Sequence, residues 1–293
     1  MIVSVGEDEN LPTQPLCARA LWINSMDANR LTDLPVSPSP STSRAPTPGQ
    51  AIALIVLYFV LQLAVGSAIT LIAGVVGALR DGGGLGAIIP MGRHWLGQSD
   101  MTAAAVIVTL LISASMIVHF ARRWWPERWS EGAPPGLGFT STPHIAFYVA
   151  ALAAGVMMPI VGGMLTQWLA QGHEVSQDIK QLGANTSLAL RLPLAVLVIS
   201  LGPLVEELLF RGVLLSAVSR YTGNGMAIVL SAVLFACVHL PDLSFLWYAL
   251  PNLALLGLIL GWLRVQSGSI WPAVVAHGMN NLLAVVSWFV MSH

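Results

Sequence analysis

The chain has 293 residues, of which 55% are hydrophobic and only 9% charged, and its formal net charge is -1. Soluble domains carry about 25% charged residues, so the composition excludes an ordinary soluble globule and defines a membrane protein with several spans. The basic residues are few and scattered, with no basic stripe, so nucleic acid is excluded as a partner.

The first 48 residues hold Glu7, Asp8, Glu9 and a tract rich in Pro and Ser, PVSPSPSTSRAPTP. Such a tract buries too little apolar surface to repay its ordering entropy, so residues 1–48 are expected to be a disordered tail. No apolar run within it is long enough for a signal peptide. Cys17 and Cys237 lie far apart in different settings, which gives no disulfide framework.

A spanning helix needs about 20 mostly apolar residues. Seven segments qualify, within a range of six to eight: 51–79, 101–121, 144–170, 192–219, 225–240, 244–263 and 270–291. The second ends in ARRWWPERW, whose arginines and tryptophans suit an interfacial anchor. Asp81 to Gly86, DGGGLG, reads as loop; a phosphate loop would need a following Lys-Ser/Thr pair. The expected fold is therefore all-α, a polytopic transmembrane helical bundle. Residues 49–185 would form its N-terminal helices and 186–293 a catalytic core. The arginine distribution between loops puts the N-terminus in the cytoplasm. The near absence of lysine suggests a GC-rich bacterial genome, and the expected location is a bacterial plasma membrane.

The fourth segment contains GPLVEELLFRG, with Glu206, Glu207 and Arg211. Three charges inside lipid cost roughly 8 to 10 kcal/mol unless they are paired or wetted. Glu207 and Arg211 stand at i and i+4 on one helix face and can neutralise each other. Glu206 points about 100° away and stays available. Pro203, one turn earlier, is expected to kink the helix.

Two further segments match this depth. Helices four and five form a hairpin centred near Thr222, which puts Glu206 and His239 each about 24 to 26 Å along from the turn. His277 and Asn281, at i and i+4 on the seventh segment, fall near the same level. Phe235 lies one turn before His239. The other histidines (His94, His119, His144, His173 and His293) sit in loops or at ends and receive no chemistry. Cys237 points to another face than His239. Without a coupled Ser or Cys nucleophile, water is the better nucleophile, with a carboxylate as general base. His and Asn can stabilise an oxyanion, so the reaction class is peptide-bond hydrolysis inside the membrane. Glu206, His239 and His277 are also candidate ligands for a divalent metal such as zinc, although no HExxH helix is present. No other cofactor is indicated.

These residues form the patterns Glu206-Glu207-Leu-Leu-Phe-Arg211, Phe235-Ala-Cys-Val-His239 and His277-Gly-Met-Asn-Asn281. In that order, on separate helices, they resemble the CPBP family of intramembrane endopeptidases, also called the Abi or CAAX-protease family. The similarity covers about residues 190–290. It implies that Glu206 activates water with help from His239, that Glu207 and Arg211 hold the chamber or contact the substrate tail, and that His277 and Asn281 form the oxyanion site. It implies a membrane-associated protein or peptide as substrate, lipidated in some members, and leaves metal open. Two alternatives compete: a catalytically silent scaffold or bacteriocin-immunity protein, and an ion or proton pathway through the same charges.

Overall fold

The computed structural model describes residues 44–173 and 178–290. Most of the expected tail, including Cys17, lies outside the described residues, as does His293.

Thr47 and Gln50 form a capping box around Pro48 and start α1, Pro48–Arg80, where a proline at N1 loses no needed hydrogen bond. At 33 residues, α1 is about 50 Å long and exceeds what a bilayer core requires. The chain then turns back, and α2, Ile88–Leu96, packs against the last turns of α1, with Ile88 beside Gly74 and Gly92 beside Thr70. Nine residues are too few to register as a span, so hydropathy did not mark α2. α3, Ser99–Trp124, returns along α1. Ala51 and Leu54 of α1 join Ala114, Ile117 and Ala121 of α3 in one buried cluster.

Residues 125–145 form an extended strap before α4, Ala146–Ala170. The short α5, Asp178–Asn185, precedes α6, Leu188–Ile199. The chain breaks at Ser200 and resumes as α7, Leu201–Glu207. The next turns are wound as a π-helix, Leu208–Leu214, which leads into α8, Leu215–Val238. α8 reverses at Gly223, whose φ of 76° is open to glycine but strained for other residues. α9, Leu250–Ser267, and α10, Trp271–Val290, complete the bundle. No strand occurs among the described residues.

Among the described residues, six helices are long and apolar enough to cross a membrane. One of them, Leu188–Val238, is 51 residues long and folds back at Gly223, so the seven expected segments are all present. Two expectations are corrected. The sixth segment begins at Leu250 rather than Ser244. Ser244 and Phe245 both take left-handed backbone conformations, with φ of 51° and 62°, and reverse the chain between short 3-10 turns; hydropathy does not register a reversal built from apolar residues. The fourth segment breaks at Ser200, not at Pro203. Pro203 sits in the first turn of α7, where its missing N–H costs nothing.

The strap closes one end of the bundle. Arg264 of α9, fully buried, donates to the carbonyls of Gly132 and Gly136, both at 2.6 Å. Ser216 also donates to Gly136, at 2.8 Å, and Ile270 N–H donates to Gly138, at 2.9 Å. Gly138 is required here: its φ is 83°, and a Cβ would lie 2.6 Å from the guanidinium carbon of Arg264. Leu137 of the strap is fully buried in the core cluster with Leu208, Leu209 and Val213.

Candidate active site

The α7–π–α8 hairpin builds the first two walls. Phe210 stacks edge-to-face on Phe235 at 5.3 Å, and Ser231 donates to the Phe210 carbonyl at 2.9 Å. These pairings fix a register that folds near residue 222 and brings Glu206 to His239. The π winding displaces backbone carbonyls from the regular ladder, and the Ser231 hydroxyl provides one of them with a donor. α10 supplies the third wall by close approach to α6: a Cβ at Gly278 would lie 2.5 Å from the Ile199 carbonyl oxygen. Gly278→Ala is therefore expected to push α10 away, at about 1 to 3 kcal/mol for overpacking. It should lower the thermal midpoint in detergent and, by moving His277, lower activity as well.

Glu207 and Arg211 are both fully buried and joined by a 2.9 Å ion pair. Arg211 also donates to the Gly257 carbonyl of α9 at 3.2 Å, and its guanidinium lies over the Phe235 ring, 4.4 Å from the centroid. The same carboxylate oxygen of Glu207 receives His277 Nδ1 at 2.9 Å. Arg211, Glu207 and His277 thus form one buried triad across the hairpin and α10.

Glu206 stands apart from the triad with its side chain 24% exposed. Its Oε2 lies 3.8 Å from His239 Nε2 and 3.7 Å from His277 Nε2. Those separations exceed direct hydrogen bonds, and this Oε2 has no hydrogen-bond partner among the described residues. The tautomers follow from the partners on the other ring nitrogens. His239 Nδ1 lies 2.8 Å from the Phe235 carbonyl and His277 Nδ1 faces a carboxylate. Both partners only accept, so in each neutral ring Nδ1 carries the proton and Nε2 turns a lone pair toward Glu206. Three acceptor atoms converge on one point, and their complement is a donor such as water.

Asn281 is one turn along α10 from His277 and donates to the Val198 carbonyl, 3.0 Å away, just before the break at Ser200. It accepts from Asn280 at 3.2 Å. The structure therefore brings Glu206, Glu207, Arg211, His239 and His277 together, with Phe235 as the ring against which Arg211, His239 and His277 pack. Asn281 is anchored at the rim. The pairing of Glu207 with His277 was not visible in the sequence; its only signal was the similar depth of the two groups. Cys237 is exposed, and Asn252 packs against Gly162 of α4. Among the described residues, no group of three or more His, Cys, Asp or Glu is disposed to hold a metal ion, so the suggestion of a metalloprotease-like centre gains no support.

Fold and site define a multi-pass helical membrane protein with a buried carboxylate–imidazole centre. The resemblance to the CPBP family holds: residues 188–283 match the family model of type II CAAX prenyl endopeptidase Rce1-like proteins. The chain is also 22% identical, over 199 residues, to the Bacillus subtilis (strain 168) protein named "Putative membrane peptidase YdiL". That alignment covers 67% of this chain and 75% of the relative. No solved structure matches the chain significantly. Together these support a CAAX-protease-like membrane peptidase.

Proposed function

We propose that this protein is an intramembrane endopeptidase in which Glu206 is the general base toward water. The observation that carries the reading is the convergence of Glu206 Oε2, His239 Nε2 and His277 Nε2 on one point with no donor among them. A water placed there donates one proton to Glu206 as its oxygen attacks the peptide carbonyl carbon. The carbonyl π bond opens to an oxyanion. Collapse of that intermediate breaks the C–N bond, and the proton held by Glu206 passes to the departing amine.

His239 orients the water through its Nε2 lone pair. His277, oriented by the Glu207 carboxylate at its Nδ1, and Asn281 line the oxyanion side, where the Asn281 amide supplies an N–H. Glu207 and Arg211 hold this wall in register.

The substrate is a membrane-associated protein or peptide, and the family match makes a lipidated chain end the first class to try. By the positive-inside rule, the arginines of the strap end and Arg44 favour a topology in which that end and the N-terminus face the cytoplasm, in a bacterial plasma membrane. Membrane proteomes of cells carrying wild type or Glu206→Ala should differ by precursors that accumulate in the variant and cleave on addition of purified wild type. Identical proteomes, with no peptide cleaved by purified wild type, would leave the scaffold or immunity reading standing.

A further inference from the structure

We propose that the strap end of the bundle carries a site for an anionic phospholipid, whose headgroup phosphate is received by Arg122 and Arg123. The site does not depend on the peptidase reading.

Both arginines stand in the last turn of α3, and both are exposed. The guanidinium of Arg122 lies over the Trp129 ring, 5.8 Å from its centroid. Such a contact answers the charge but none of the N–H donors. Neither arginine has a hydrogen bond or ion pair to a protein group among the described residues. The carboxylates of the strap are already engaged: Glu131 pairs with Arg128 at 2.7 Å, and Glu127 is not free either. A helix C-terminus favours cations, which accounts for arginine in this turn. It does not account for two side by side without an acceptor. The guanidinium fork is complementary to phosphate oxygens.

The platform beside the pair is built from the strap. Trp129 stacks on Phe139 at 3.8 Å, and Phe139 meets Trp271 of α10 edge-on at 5.9 Å. Phe139 N–H donates to the Trp129 carbonyl at 3.0 Å, and Leu137 N–H to the Arg128 carbonyl at 2.8 Å. Arg264 ties the same strap to α9. An aromatic row next to exposed cations marks the level of lipid headgroups.

α3 supplies the track for a tail. Met116 and Ile112 stand two and three turns before Arg123 on nearly the same face, and Leu111 stands three turns before Arg122. All three are exposed. A pair of cations at the end of an exposed apolar stripe complements an amphiphile with a phosphate head and a hydrocarbon tail. A free phosphate would use only the head of such a site. The strap is in turn joined to the hairpin of the motif helices, since Ser216 of α8 donates to the Gly136 carbonyl at 2.8 Å. A lipid held across α3 and the strap would fasten that end and raise the stability of the whole bundle.

The test uses the purified full chain in a neutral detergent. Short-chain phosphatidylglycerol, phosphatidylcholine and inorganic phosphate are added separately at equal ionic strength. Thermal midpoints are read, and retained lipids are counted by native mass spectrometry. Phosphatidylglycerol should raise the wild-type midpoint and be retained over phosphatidylcholine by about tenfold, as two near-surface arginines allow. Arg122→Gln, Arg123→Gln together should abolish both effects while melting like wild type without lipid. Arg220→Gln, which removes another exposed arginine, should keep both. If the double variant does not fold, each single variant should lose part of the preference. Equal retention of the two lipids by wild type overturns the inference, as does a preference that survives loss of both arginines. A loss as large in Arg220→Gln would reduce the site to general surface charge, and an equal rise with inorganic phosphate would make it a free-anion site; either result also overturns it.

Discussion

Glu206→Gln is expected to lower hydrolysis by about 10² to 10⁴-fold while the protein stays folded. The substitution removes the base and keeps the shape. It also supplies an amide N–H₂ opposite the two Nε2 lone pairs of His239 and His277, where the carboxylate offers a third acceptor. Acceptor crowding is relieved, so the thermal midpoint in detergent should hold or rise. Loss of activity with retained stability separates a chemical role from a structural one. Cleavage at the wild-type rate would remove Glu206 from the mechanism.

Arg211→Met should have the opposite signature. Arg211 and Glu207 are fully buried, and removing one member of a buried ion pair typically costs about 3 to 5 kcal/mol because the other charge stays behind. The Gly257 carbonyl loses a donor as well. The double variant Glu207→Gln, Arg211→Met leaves no orphan charge and should recover much of that stability. Chemical or thermal unfolding in detergent reads the difference. A single variant as stable as wild type would mean that the pair does not lock the hairpin.

Much of this was legible in sequence because bilayers impose length and apolarity on spans, and because charges inside them are conspicuous. Equal arc lengths from the Thr222 turn were enough to pair Glu206 with His239. The fine geometry was not legible. Nothing in LLFRGVL announces a π-helix, since the same apolar residues fit either winding. The break at Ser200 depends on how α6 meets α10 through Gly278, a tertiary contact. Glu207 bonding to His277 joins residues 70 apart.

The buried run from Glu207 to Ala217 bears on the rival reading of these charges as an ion path. Eleven consecutive residues there are buried, on every side of the helix, and the strap with Leu137 lies beneath them. A conduit needs two mouths and a wet thread between them. Here the stretch inward from Glu206 is a stopper, packed on all faces and tied off by Arg264. That packing weighs against an ion path and fits the proposed peptidase centre, in which a chain is cut at the Glu206 side of the stopper.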